Sequence, residues 1–155
     1  MADIISKEKR SWNMSRIKGK NTKPEILVRS ILHKAGFRFR INDKRLPGKP
    51  DIVLPKYRTV VLIHGCFWHR HNKCKYAYTP KTRIDFWKKK FRNNLLRDKL
   101  VVNQLKIQGW RIYVVWECEI EKDIFKTLHC LMKRIRLPCD SMRVGSPHIM
   151  GRSTK

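Results

Sequence analysis

Apolar and polar positions fall into distinct periodic blocks along this chain. Over "TKPEILVRSILHKAG", Ile26, Leu27, Ile31 and Leu32 make a helical stripe; Thr22 is placed to cap, Pro24 sits in the first turn, and Gly36 stands at the end. The segment "FRFRIND" switches to apolar–basic alternation and predicts an exposed or edge strand. "LPGKPD" is a turn, and beyond it "DIVL" and the β-branched "TVVLIHG" predict two strands joined by the loop "PKYR". A long helix is predicted from Ile84 to Gln108, with Phe86, Phe91, Leu95, Val102 and Leu105 toward one side and Gly109 as its stop. "WRIYVVWE" reads as a third core strand and "EKDIFKTLHCLMKRIRL" as a final amphipathic helix. This order indicates a small three-layer α/β domain with a mixed sheet.

Residues 1–20 are charged and poor in apolar positions, and read as a basic N-terminal arm or helix. Residues 21–137 hold the periodic blocks and form the expected domain, while 138–155 turn Gly, Pro, Ser and Arg rich and read as a mobile basic tail. The 155 residues are 41% apolar, enough for one core. No apolar run is long enough to span a bilayer, so no membrane partner is expected, and "MADIISKEKR" is charged rather than signal-like. A cytoplasmic protein is expected on these grounds.

Charge narrows the partner. Against 12 Asp and Glu stand 37 Lys and Arg, a formal net charge of +25. That surplus draws the protein toward polyanions, with nucleic acid foremost because each neutralised phosphate releases a counterion. A ribosome or an anionic membrane surface fits the number equally well. Five cysteines, an odd count without an export signal, suit metal ligation plus ordinary thiols better than a disulfide scaffold.

Candidate chemistry concentrates in "IHGCFWHRHNKC", residues 63–74. If "PKYR" is a four-residue loop, Leu54 pairs with Thr59 and Asp51 falls opposite Leu62. His64 is then the diagonal neighbour of Asp51 on one sheet face, roughly 7–8 Å away. Read singly, Asp51 is a turn acid and His64 a half-buried strand-end histidine. Read jointly amid positive charge, they suit a metal and phosphate site, where a carboxylate and backbone oxygens hold a hard cation and a histidine titrates near neutrality. Cys66, His71, Cys74 and, if its strand runs parallel alongside, Cys118 make a four-ligand set suited to structural zinc. Buried cysteines acting as small hydrophobes are the alternative, and the better reading for Cys130 and Cys139. His69 is left over, free for proton transfer or simply solvated.

Together "LPGKPD", "HGCFWHRH", "RIDFWKKKFRNNLLRD" and "GWRIYVVWEC" resemble the very short patch repair endonucleases, in order from about Arg10 to Cys118. The resemblance implies a restriction-endonuclease-like three-layer α/β/α fold with a structural zinc site. It implies a bacterial, nucleoid-associated monomer that nicks one strand of double-stranded DNA beside a T:G mismatch left by 5-methylcytosine deamination, possible contact with mismatch-repair proteins included. By the same resemblance Asp51 and the main-chain carbonyl of Ile63 bind catalytic Mg²⁺. His64, His69 and Asp98 are catalytic, and Glu25 holds a metal-bound water. Cys66, His71, Cys74 and Cys118 bind Zn²⁺. Phe67, Trp68 and Trp87 enter the DNA stack, with Met14 on the opposite side. The chain departs from the family in carrying Ile63 where threonine is expected, and in one extra residue within "HRHNKC".

Several of these residues have structural alternatives. Thr22-Lys-Pro-Glu25 spells a capping box, in which Glu25 reaches back to the cap's own amide. Phe67 and Trp68 could be core, although neighbours in an extended stretch point opposite ways. Of Phe86 and Trp87, one is expected to pack inward, and Asp98 alone is a solvated helix acid near Arg97. The basic run from Lys81 to Lys99 is a solvated face or a phosphate contact. Two other functions remain compatible: a restriction- or homing-type nuclease of the same fold without mismatch preference, and a non-enzymatic zinc module that binds nucleic acid.

Overall fold

The computed structural model describes residues 6–16 and 19–138. Helix α1 (Lys7–Ser15) lies in the basic arm and α2 (Lys23–Lys34) opens the domain. Strands β1 (Ile52–Leu54) and β2 (Thr59–His64) follow, joined through a 3₁₀ turn at Pro55–Tyr57. Helix α3 (Ile84–Ile107), strand β3 (Arg111–Trp116) and helix α4 (Glu117–Arg136) complete the order. The basic tail from 139 onward lies outside the described residues. No helix among the described residues is long and apolar enough to cross a membrane.

The sheet runs β1-β2-β3 and is mixed, with β1 antiparallel and β3 parallel to β2. Leu54 pairs with Thr59, so "PKYR" is the four-residue loop that the apolar pattern requires. Arg58 closes the corner in the left-handed conformation (φ 49°). It is held there by the Arg111 N–H on its carbonyl (2.9 Å) and by its own Nη2, which donates to the Gln108 carbonyl (2.8 Å). The parallel pairing of β2 with β3 needs a long crossover, and α3 supplies it.

Strand periodicity of two sorts the core into two layers. Ile52, Leu54, Val61 and Val115 face α2 and α4, where they bury Val28, Leu32, Leu128 and Ile135. Val53, Val60 and Ile112 face Leu105 and Val101 of α3. Counting by twos from Val53 and Val60 toward the open end brings Asp51 and His64 onto that second face, under α3. The sheet therefore presents the two polar groups to one helix.

Four expectations need correction. "FRFRIND" forms no strand. Phe37 is buried, and Arg40 alone bridges to Val53, because β1 is three residues long and Asn42 turns the chain away in a left-handed conformation. On α3, Phe91 and Leu105 are buried but Phe86 and Leu95 are exposed; the inward face runs 91, 94, 98, 101 and 105, with polar residues at two of its positions. The last helix starts at Glu117 and breaks at Asp123 (φ −163°, ψ 92°), whose Oδ1 accepts the Lys126 N–H and starts the helix again. Cys118 thus sits in the first turn of α4 rather than at a strand end. Cys130, expected to be buried, is exposed.

Candidate active site

His69 is the hinge of the site. Its Nδ1 lies 2.6 Å from Oδ2 of Asp98, and its ring stacks on His64 with centroids 3.8 Å apart and planes 9° off parallel. The ligand atoms of His64, His69 and Asp98 all lie within 4.8 Å of one another. Burial, helped by the neighbouring charge on His69 and opposed by Asp98, pushes the His64 pKa down to about 4. His64 is accordingly neutral at physiological pH. Burial alone would raise Asp98, but the hydrogen bond with His69 and the electrostatic influence of His69, His64 and Arg97 outweigh it and hold its carboxyl low. Asp98 is no solvated helix acid; it orients a histidine.

Asp51 lies outside that trio but faces it. Its Oδ2 accepts the Ile63 N–H at 2.7 Å, which locks the carboxylate against β2 at the open end of the hairpin. Burial raises its pKa; the Ile63 amide opposes this, the charge of Glu25 adds to it, and Arg29 and His69 oppose it. A half-buried carboxylate kept reluctant to ionise has a reason to take a cation. The turn before it is fixed from α3: Gly48 (φ 72°) packs so close to Val101 that a Cβ there would fall 2.5 Å from Cγ1.

Glu25 is buried at 5% exposure. Its Oε2 accepts from the Asn21 N–H (2.9 Å) and from Arg29 Nη2 (2.9 Å), and its Oε1 accepts from the Thr22 hydroxyl (2.9 Å). The glutamate does reach back over the helix start, but to the amide before Thr22 rather than to the cap's own, and Thr22 makes no side-chain cap bond. Arg29 was invisible to sequence reasoning: its Nη1 binds Asn21 Oδ1 (2.7 Å) and its Nη2 also reaches the Asp51 carbonyl (3.3 Å), tying the helix to the acid.

The loop after β2 folds back on itself, His69 N–H bonding to the Gly65 carbonyl and His71 N–H to that of Cys66. It brings Cys66, His71, Cys74 and Cys118 together, ligand atoms within 4.8 Å. Lys73 is left-handed in the turn from His71 to Cys74, and His71 lies between two sulfurs: its Nδ1 is 3.2 Å from Cys118 Sγ and 3.7 Å from Cys66 Sγ. Burial pushes the Cys66 thiol up to about 12, and burial also raises Cys118. At Cys74 the amides of Tyr76 and Ala77 and the other two thiols outweigh burial and lower it. Three thiols and one imidazole gathered this closely form a donor set that fits a tetrahedral soft-to-borderline cation.

Phe67 is the centre of an aromatic cluster, its centroid 5.0 Å from Trp68, 5.2 Å from Phe91, 5.2 Å from Tyr78 and 5.4 Å from Trp87. Phe67, Trp68 and Trp87 are half-buried, neither sealed in nor free. Of the adjacent pair, Trp87 packs further in and Phe86 is 45% exposed. Asn94, on the inward face of α3, donates to the Trp68 carbonyl (3.2 Å) and holds the loop; a polar residue in an otherwise inward register was the available signal. Met14 falls in α1, but its side chain lies outside the described residues. Asp51, His64, His69, Phe67, Trp68 and Trp87 all line one groove of ≈ 2240 Å³, well beyond the roughly 300–1,000 Å³ of small-molecule sites and suited to a polymer.

A half-buried acid at a hairpin mouth, a histidine–aspartate dyad and a basic, aromatic-lined groove suit a phosphodiester-cleaving class of protein. The comparisons with known proteins agree. The family described as "DNA mismatch endonuclease Vsr" matches residues 2–75. The chain is 48% identical over 120 residues to the type II nicking enzyme V.XorIIP of Xanthomonas oryzae pv. oryzae, covering 77% of this chain and 88% of that protein. It is 51% identical over 121 residues to the type II nicking enzyme V.NmeAIP of Neisseria meningitidis serogroup A (78% and 86%), and 42% identical over 120 residues to the DNA mismatch endonuclease Vsr of Escherichia coli K12 (77% and 76%). The chain belongs to the Vsr endonuclease family.

Proposed function

We propose that this protein is the mismatch endonuclease of very short patch repair, nicking one strand of double-stranded DNA next to a T:G mispair, with Mg²⁺ as catalytic and Zn²⁺ as structural cofactor. The observation that supports it most is the convergence, on one face of the sheet, of Asp51 with the His69–Asp98 dyad beside half-buried rings. The fold reading that goes with it is a restriction-endonuclease-like core, for which helices on both faces of a mixed sheet speak.

Mg²⁺ held by Asp51 and the Ile63 carbonyl would polarise the scissile phosphate and stabilise the leaving oxygen. The protein's own groups do the rest. With Nδ1–H donated to Asp98, His69 keeps its Nε2 lone pair and draws a proton from the attacking water. His64, neutral and stacked on His69, adds no charge that would repel the cation. Glu25, whose oxygens are already engaged by Asn21, Thr22 and Arg29, has little spare capacity and acts chiefly by holding Arg29 on the Asp51 strand. Phe67, Trp68 and Trp87, with Met14 opposite, wedge the duplex open; unstacking costs a few kcal/mol per step and least at a mispair, which gives selectivity a physical origin. Zinc on Cys66, His71, Cys74 and Cys118 would brace the loop that presents those rings.

The test is nicking of otherwise identical T:G and T:A duplexes with and without Mg²⁺. Magnesium-dependent cleavage of one strand of the T:G duplex is expected. Equal cleavage of both duplexes would point to a nuclease without mismatch preference, and tight binding with no nick to a zinc module.

A further inference from the structure

Trp116 has no part in the mechanism above, yet it touches both centres. It is the last residue of β3, paired in register with His64, and the N-cap of α4, its N–H donated to Glu119 (3.2 Å). Its ring stacks on His71 with centroids 4.1 Å apart and planes 8° off parallel, and it meets His64 edge-on at 5.3 Å and 78°. His64 in turn stacks on His69, and His69 is bonded to Asp98. Five side chains thus form one continuous packed row from the Cys/His cluster to the dyad. Trp116 does not line the groove, and its ring contacts are with the two histidines.

We propose that Trp116 is a positioning residue: it sets the plane of His64, and through it the stacked His69 ring, from the Cys66/His71/Cys74/Cys118 cluster. This rests on the nuclease reading for its activity consequence, though not for its geometry. An imidazole ring turns readily about χ2 unless something fills the space beside it. Here His64 is wedged between a ring face and a ring edge, and the indole is itself clamped between a strand end, a helix start and His71. Because close-packed side chains move together, a cluster that loosens lets His71 swing, frees the indole, and lets the histidine pair tilt. Misplacement of a reacting group by about 1 Å costs on the order of 100-fold in rate.

The experiment compares Trp116→Leu and Trp116→Phe with the wild type, each with zinc confirmed bound, in steady-state nicking of a T:G duplex and in NMR spectra of histidine-labelled protein. Trp116→Leu is expected to lower kcat about 10- to 100-fold with KM within about threefold, and to move the ring-proton resonances of both His64 and His69 as the indole ring current is lost. Trp116→Phe, which keeps a ring against both neighbours, restores kcat to within about threefold. Wild-type kcat in Trp116→Leu, or His64 and His69 resonances coincident with the wild type, overturns the proposal. If the wild type fails to nick the T:G duplex, the nuclease reading fails, while the histidine resonances still decide the role of Trp116.

Discussion

Asp98 and His69 share a hydrogen bond of 2.6 Å across the gap between α3 and the loop after β2. The bond fixes which ring nitrogen carries the proton, and Asp98→Asn, which also donates, reverses that preference. Single-turnover nicking by Asp98→Asn is expected to fall about 10²- to 10⁴-fold, with duplex affinity unchanged within about threefold. His69→Ala combined with Asp98→Asn should be little slower than His69→Ala alone, because the two act as a unit. Additive losses would break the dyad apart.

Asp51 is expected to trade stability for chemistry. Its folded pKa lies above the unfolded value, so ionised Asp51 at neutral pH costs the fold free energy. Asp51→Asn keeps an oxygen for the Ile63 amide and removes the charge. It should raise the melting temperature measured without divalent ions by a few degrees in a chain of this size. The same change, like Asp51→Ala, should abolish nicking and spare mismatch binding. Undiminished cleavage by either variant removes the metal assignment.

Acid should destabilise the protein through His64. Its pKa is depressed to about 4 in the fold, against about 6.5 unfolded. Between those values the unfolded chain binds more protons, so stability falls as pH drops through that window, to a limit of roughly 3 kcal/mol. The low Asp98 carboxyl acts in the same direction, its contribution being lost as pH falls through its folded pKa. Asp51, raised in the fold, opposes both by taking up a proton in the native state. Urea midpoints at pH 7 and pH 4.5 should therefore differ most in Asp51→Asn and least in His64→Gln.

Metal at the thiol cluster is expected to act on stability. With the Cys66 thiol pushed up to about 12 by burial, a cation must displace its proton. Zinc affinity should therefore weaken steeply as pH falls, and stripping the ion should lower the melting temperature more than any single groove substitution. Cys118→Ser should do so too, since it removes one of the two sulfurs flanking His71. One zinc per chain by elemental analysis is the expected stoichiometry.

The rings should carry discrimination rather than chemistry. Trp68→Ala is expected to cost about 1–3 kcal/mol of binding to a T:G duplex and less to a paired one. Phe67→Ala, which empties the centre of the aromatic cluster, should also destabilise the fold, by about 3 kcal/mol. Fluorescence titration with both duplexes separates the two effects.

Much of this geometry was legible in the sequence because strand periodicity is strict. Once "PKYR" is a four-residue loop, Asp51 and His64 must share a face, and the parallel partner of β2 must deliver Cys118 near Cys66. What stayed hidden depended on contacts between distant segments. The buried face of α3 includes Asn94 and Asp98, polar residues that an apolar count passes over. Arg29 looked like one cation among many until its guanidinium was seen bridging Glu25 and the Asp51 carbonyl. "FRFRIND" alternates as a strand would, but a three-residue neighbour gives it nothing to pair with beyond Arg40.

The corner at Arg58 has a consequence of its own. Adding or deleting a single residue between Pro55 and Arg58 would invert every side chain of β1 relative to β2, sending position 51 among the leucines and valines beneath α2. A residue added to an irregular loop such as the one around Lys73 carries no such penalty, because no strand register depends on it. At this bend it is the number of residues, more than their chemistry, that keeps the enzyme an enzyme.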